Sequence, residues 1–172
     1  MKKKILIIDF GSQYSQLIAR RIREMEVYCE IVHSSHVMTA ISKEKENILG
    51  VILSGGPESV YEENSPTVEK ELFSLNIPIL GLCYGMQLIA LLNGGKVEKA
   101  ESKEFGKASL EILEIENPLF ENVKQHSQIW MSHGDHITKL PDGFKVIAQT
   151  NTSIAAIMNN SNIYALQFHP EV

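Results

Sequence analysis

The chain has 172 residues, 44% of them apolar and 22% charged, with a formal net charge of -5. A chain of this length buries roughly 70% of the surface its unfolded form exposes, enough for one core without external staples. The acidic balance excludes an extended nucleic-acid footprint, which needs clustered Lys and Arg, and Lys2 to Lys4 are expected only to flank the first strand in water. The apolar run Ile5 to Ile8 stops at Asp9, too short for a signal core or a membrane span, so a cytoplasmic location is expected. Cys29 and Cys83 are the only cysteines. Both are expected to stay reduced, which leaves a thiol available for chemistry.

Lys4 to Asp9 reads as a parallel strand buried on both faces, ending in an acid and Gly11. Ser12 to Met25 follows as a crossover helix, with Leu17, Ile18, Ile22 and Met25 at helical spacing and Ser12 as the expected N-cap. Val27 to Val32 alternates as a second strand, and Ile48 to Leu53 is a third that runs into Ser54-Gly-Gly-Pro57. After a polar loop, the spacing of Val68, Leu72, Phe73 and Leu75 predicts a helix over Thr67 to Leu75. Ile77 to Leu82 is a fourth strand with Pro78 near its start, where a missing donor is tolerated. Tyr84 to Leu92 is helical again and ends at Asn93-Gly94-Gly95. The second half changes character: Lys107 to Glu116, Gln128 to Met131, Phe144 to Gln149, Ser153 to Met158 and Ile163 to Phe168 read as short strands. The pattern predicts one α/β domain over residues 1–172, in three layers. Its mostly parallel, flavodoxin-like central sheet is extended by antiparallel strands and carries helices on both faces.

Gly81-Leu-Cys83-Tyr-Gly85 has the form of a nucleophile elbow, placed where a buried strand gives way to a helix. Such a turn strains the backbone at the nucleophile, and the flanking glycines leave room for it. At a helix amino terminus Cys83 feels the positive end of the dipole, which favours thiolate. Cys29, mid-strand and without that context, reads as a buried, inert cysteine. A thiolate nucleophile needs a base, and Gln167-Phe-His169-Pro-Glu171 offers one with a carboxylate two residues on. In an extended segment that spacing puts both side chains on one face, so Glu171 can orient the His169 imidazole. Pro170 favours the extended form. The anion formed on an attacked carbonyl needs N–H donors, for which Gly56 and Tyr84 are the candidates. Phosphate binding at Ser54-Gly-Gly-Pro57 is the other reading of that loop, but no Walker sequence occurs in the chain. His33 and His36 read as polar side chains on the surface, and Ser132-His-Gly-Asp135 as either a turn between elements or a pocket wall. Neither His33 with His36 nor His133 with His136 has a cysteine nearby or a third ligand at metal spacing, so no metal is expected.

The elbow Gly81 to Gln87, the loop Ser54 to Pro57 and Phe168-His-Pro-Glu171 together resemble the class I (triad) glutamine amidotransferases over nearly the whole chain. Asp9-Phe-Gly-Ser-Gln-Tyr14, Ser54 to Ser59, Cys83 to Gln87 and Trp130-Met-Ser-His-Gly-Asp135 are similar to the amidotransferase portion of the GMP synthases. The resemblance implies glutamine hydrolysis through a thioester on Cys83, with His169 as base and Glu171 as its orienter. It places substrate contacts at Gly55 and Gln87 and at the backbone near Ser132 and His133. No cofactor is implied for the domain itself. Its implied partner is an ATP-pyrophosphatase (synthetase) domain or subunit that binds XMP, ATP and Mg and uses the ammonia to form GMP, the pair together being a ligase. The alternatives are an amidotransferase subunit of another biosynthetic enzyme, a fold-retaining regulatory domain inactive alone, and a triad hydrolase such as a peptidase or γ-glutamyl hydrolase. Against the family pattern, the chain stops at Val172, before the expected closing helix and any synthetase domain. A fragment of a fused enzyme or a separate small subunit is therefore expected.

Overall fold

The computed structural model describes residues 1–172. In chain order the elements are β1 (Lys4–Asp9), α1 (Ser15–Glu24), β2 (Cys29–His33), α2 (Val37–Glu44), β3 (Ile48–Leu53), β4 (Ile79–Leu82), α3 (Tyr84–Leu92), β5 (Lys96–Ile112), β6 (His126–Lys139), β7 (Phe144–Gln149), β8 (Ile154–Asn159) and β9 (Ile163–Leu166). The strands form one sheet in the order β2-β1-β3-β4-β9-β8-β7-β5-β6. From β2 to β9 neighbours run parallel, and from β9 through to β6 they run antiparallel. The carboxyl ends of β1, β3, β4 and β9 therefore point the same way, toward one edge where four loops meet.

The apolar run in β1 is continuous because both of its faces are covered. Leu6 and Ile8 face one core with α2 and α3, and Ile7 faces the other with α1. Helix α1 buries Ile18, Ala19 and Ile22 while its arginines stay exposed. Each buried isoleucine contributes about 1.5–3 kcal/mol relative to exposure. These two cores make the three layers expected from the sequence.

Several boundaries differ from the sequence-based expectation. Helix α1 starts at Ser15, not Ser12, and the Ser12 hydroxyl accepts from the Tyr14 N–H within the preceding loop instead of capping the helix. Because α1 ends at Glu24, Met25 lies outside it and is exposed. Thr67 to Leu75 is not an α-helix: only Lys70–Ser74 is helical, as a 3-10 turn, and Glu69 before it is extended. Val68 and Leu72 are both buried, but Val68 gets there from extended chain, so the apolar spacing came from two separate anchors. Helix α2 was missed, although Val37 and Ile41 form its buried stripe. Lys4 is not simply a solvated flank. Its side chain is buried and its Nζ lies 3.0 Å from Glu30 Oε2 and 2.5 Å from Glu44 Oε2, joining β1 to β2 and α2.

Strands β5 and β6 are much longer than their apolar cores suggested and form an antiparallel arm. Between Lys99 and Glu104 the register shifts, four residues on β5 facing one on β6, so Ala100 to Lys103 bulge out of the ladder. That bulge overhangs the loops at the carboxyl ends of β3 and β4, where the site is found.

Candidate active site

The site is built first by the connection from β4 to α3. Cys83, at its apex, has φ 52° and ψ -106°, left-handed territory that costs a non-glycine residue about 1–3 kcal/mol. The tightness is enforced by the glycines on either side. A Cβ on Gly81 would lie 2.6 Å from Ile89 Cδ1 and 2.8 Å from the Gly85 carbonyl, and one on Gly85 would run into the Leu53 carbonyl. The Cys83 N–H donates to Leu166 O at 2.7 Å and the Gly85 N–H to Ser54 O at 3.1 Å, which ties the elbow to β9 and to the end of β3. The strain expected from the sequence is present, and the thiol sits at the floor of a pocket at the amino end of α3.

The segment after β9 supplies His169 and Glu171. The His169 N–H donates to Trp130 O at 3.1 Å, fixing the segment against β6. Glu171 Oε1 lies 2.8 Å from His169 Nδ1, and both side chains are buried. The pairing was expected from an extended spacing; it is made instead by a turn at Pro170 and Glu171, closed by the Val172 N–H donating to His169 O at 3.4 Å. With Nδ1 held by the carboxylate, Nε2 is left for the thiol side. Burial lowers the imidazole pKa, but the hydrogen bonds and charges of Cys83 and Glu171 outweigh it and raise it to about 9. His169 is thus a strong enough base to keep a proton taken from the sulfur beside it. Tyr14 packs edge-on against the imidazole at 5.4 Å, and Arg21 Nε donates to the Glu171 carbonyl at 3.1 Å.

The loop after β3 closes the other side. A Cβ on Gly55 would lie 3.1 Å from His169 Cε1, and one on Gly56 2.9 Å from the Phe10 carbonyl, so the loop passes the site as bare backbone. The Gly56 N–H donates to no protein acceptor, and the Tyr84 N–H, first in α3, has no acceptor within the helix. Both border the same pocket as Cys83. The Tyr84 hydroxyl donates to the Pro66 carbonyl, and its ring lies 5.2 Å from that of Phe10, so the residue after the thiol also pins this loop.

A cavity of about 420 Å³ opens beside Cys83, walled by the loop after β3, by Gln87 and by Ser132 to Asp135, with Lys99 and Phe105 of β5 and Lys103 of the bulge completing the lining. Ser132 to Asp135 is neither turn nor boundary. It lies in the middle of β6 and forms one wall, with Ser132 O 3.5 Å from the Cys83 sulfur. Both ring nitrogens of His133 are used internally, at 2.7 Å from Asp135 O and 2.7 Å from Glu104 Oε2, so that residue presents backbone to the cavity. His33 and His36 are exposed, His33 at the end of β2 opposite Asp9 of β1 and His36 just before α2, and neither lines the cavity beside Cys83. Cys29 is buried under α1, 3.6 Å from Ala19 O, and both cysteines are free.

Sequence reasoning named Gly55, Gly56, Cys83, Tyr84, Gln87, Ser132, His133, His169 and Glu171, and the fold brings all nine to this edge. It missed Asp135 as a clamp: its carboxylate accepts from Ser59 Oγ at 2.5 Å and Tyr61 OH at 2.8 Å, locking the loop to β6. It also missed Gln167, Glu104 and the two lysines of β5 at the cavity, Lys99 and Lys103. Asp135 and Gln167 stood inside segments already singled out, whereas Glu104, Lys99 and Lys103 lie in a polar run with no pattern to mark them. No group of three or more His, Cys, Asp or Glu side chains converges as a metal site, and no helix is long and apolar enough to cross a membrane.

A strained cysteine elbow, a buried His–Glu pair and free backbone amides meet around one cavity on a mixed α/β sheet, an arrangement suited to a thiol nucleophile. The sequence model of the class-I glutamine amidotransferases matches residues 6–172, and the chain belongs to that family. Among its relatives are glutamine-hydrolysing GMP synthases: that of Fusobacterium nucleatum is 55% identical over 175 residues, covering 100% of this chain and 34% of that protein. That of Brachyspira hyodysenteriae is 56% identical over 171 residues, covering 98% of this chain and 33% of that protein. The chain thus spans about a third of the length of these relatives. A Thermoplasma acidophilum structure described as a GMP synthase subunit superposes with a TM-score of 0.87 at 36% identity, covering 100% of this chain and 86% of that one. A Thermotoga maritima glutamine amidotransferase, 22% identical with a TM-score of 0.78, shares the fold.

Proposed function

We propose that this chain is the glutaminase portion of a GMP synthase, hydrolysing glutamine to glutamate and ammonia at Cys83. The observation that carries the reading is the buried His169–Glu171 pair at 2.8 Å beside a cysteine held in a left-handed elbow. Cys83 gives its proton to His169 and attacks the side-chain carbonyl carbon of glutamine. The oxyanion is received by the N–H groups of Gly56 and Tyr84. When the C–N bond breaks, His169 returns the proton to the leaving nitrogen, which departs as ammonia and leaves a thioester on Cys83. Water then attacks the thioester, His169 takes a proton from it, and glutamate leaves as the thiol is restored. Glu171 holds the imidazole in orientation throughout. Ser132 O, presented at the sulfur, suits the substrate carboxamide N–H, and Gly55, Gln87 and the backbone of His133 line the rest of the cavity.

The ammonia is passed to an ATP-pyrophosphatase partner, domain or subunit, which holds ATP and Mg, activates XMP and aminates it to GMP. The high identity to glutamine-hydrolysing GMP synthases supports that destination over other amidotransferase systems. Two free thiols fit a reducing, cytoplasmic setting. Cys83→Ala is expected to abolish glutamate release from glutamine while leaving far-ultraviolet circular dichroism unchanged. Undiminished release by that variant overturns the reading.

A further inference from the structure

Two buried side-chain amides, Gln87 and Gln167, connect the cavity wall to the nucleophile, and they are only 3% and 1% exposed. The oxygen and nitrogen of an amide are distinguished by their partners, and here the partners fix both. The backbone carbonyl of Asp135 can only accept, so the Gln87 atom 3.1 Å from it is Nε2. The same Nε2 lies 3.2 Å from the Gln167 amide, whose atom at that contact must then be Oε1. The other end of Gln167, the donor Nε2, therefore faces the Cys83 sulfur at 3.6 Å. The Gln167 backbone is itself fixed, its N–H donating to Ala155 O at 2.8 Å.

We propose that Gln167 is a positioning residue for the nucleophile: its side-chain N–H, aimed by Gln87 and the Asp135 carbonyl, steadies the Cys83 sulfur in its anionic, attacking form. The inference rests on Cys83 being the nucleophile. In the thiol state the sulfur donates to Ser132 O and accepts from Gln167. Once the proton has moved from sulfur to His169, the Ser132 carbonyl is a poor neighbour for the anion, whereas the contact from Gln167 becomes a charge-assisted hydrogen bond. An amide does not titrate, so this donor is present at every working pH. The ionisable groups around the sulfur are His169 with Glu171 behind it, from the segment after β9, and His133 with Glu104 behind it, from β6 and β5. Farther out, Glu58 and Glu62 of the loop after β3, Asp135 of β6 and Lys99 and Lys103 of β5 border the cavity, and Tyr14 packs on the imidazole.

The test is the rate of alkylation by iodoacetamide as a function of pH, resolved by peptide mapping into Cys83 and Cys29, for the wild type, Gln167→Leu and the isosteric Gln167→Glu. The proposal expects the Cys83 rate at neutral pH to fall about tenfold in Gln167→Leu and further in Gln167→Glu, as a donor to an ion is lost and then replaced by a like charge. The whole profile should move to higher pH with an unchanged alkaline plateau. A merely structural defect lowers the plateau without moving the profile, and that result overturns the proposal, as does a wild-type profile in both variants. If Cys83 reacts no faster than Cys29 in the wild type, it is the nucleophile assignment itself that fails.

Discussion

At the scale of single residues, the site turns on where one proton sits. Despite its burial, His169 is raised to about 9 by the sulfur and the carboxylate beside it, so in the proposed mechanism the proton removed from Cys83 is held ready for the leaving nitrogen. The group must be protonated to act as acid, and it loses its proton as pH rises through about 9. The pH profile of kcat/KM for glutamine is therefore expected to fall on its alkaline side near pH 9. Glu171→Gln keeps the shape but removes the charge that orients and stabilises the imidazolium. Glutaminase activity is expected to fall about 100-fold or more, with the alkaline limb moved to lower pH. Steady-state assays across pH read both. These residues were legible because each sits in a short motif whose chemistry needs that order: glycines flanking a cysteine, and a carboxylate two residues past a histidine. Asp135, Gln167 and Glu104 were not, since their roles exist only through partners on β3's loop, α3 and β6 that are remote in sequence.

At the scale of elements, the elbow between β4 and α3 holds the proposed nucleophile, Cys83, and its precision comes from what cannot be there. A methyl group on Gly85 meets the Leu53 carbonyl at the end of β3, so Gly85→Ala must push α3 off the sheet or open the elbow. Chemical denaturation is expected to show a loss of about 1–3 kcal/mol, accompanied by a lower rate of Cys83 alkylation. Strands β1, β3 and β7 and helix α3 fell on the residues their patterns marked, because continuous or alternating apolar runs leave no other register. Helix α2 and the outer half of β5 did not. Helix α2 carries a narrow stripe of Val37 and Ile41 on a polar segment, and Lys96 to Glu104 of β5 buries only Val97, set opposite Ile137 of β6, so no apolar alternation marks it. The turn at Pro170 shows the same limit. The sequence marked the His–Glu partnership, while the local conformation that makes it was settled by packing against β6.

At the scale of the molecule, the sheet edge gathers a loop from β3, an elbow from β4, a turn after β9 and the arm of β5 and β6, so the site depends on the whole fold. That dependence runs in both directions. Because the folded-state pKa of His169 lies above the ordinary imidazole value, its pairing adds stability that is fully present below about 6.5 and is lost as pH rises through about 9. Thermal unfolding is expected to show Tm falling across that interval in the wild type and a flatter dependence in His169→Asn. The fold class was legible from the order of parallel-type runs followed by short alternating strands. The overhang of the β5 bulge above the cavity was not, since it arises from a register shift set by pairing with β6.

The most direct test of the central claim is covalent trapping with a glutamine-shaped electrophile, followed by mass spectrometry of the intact chain and its peptides. The account predicts a single adduct on Cys83, none on Cys29, and protection by free glutamine. Labelling of both cysteines at equal rates, or labelling of Cys83 that glutamine does not slow, would contradict it.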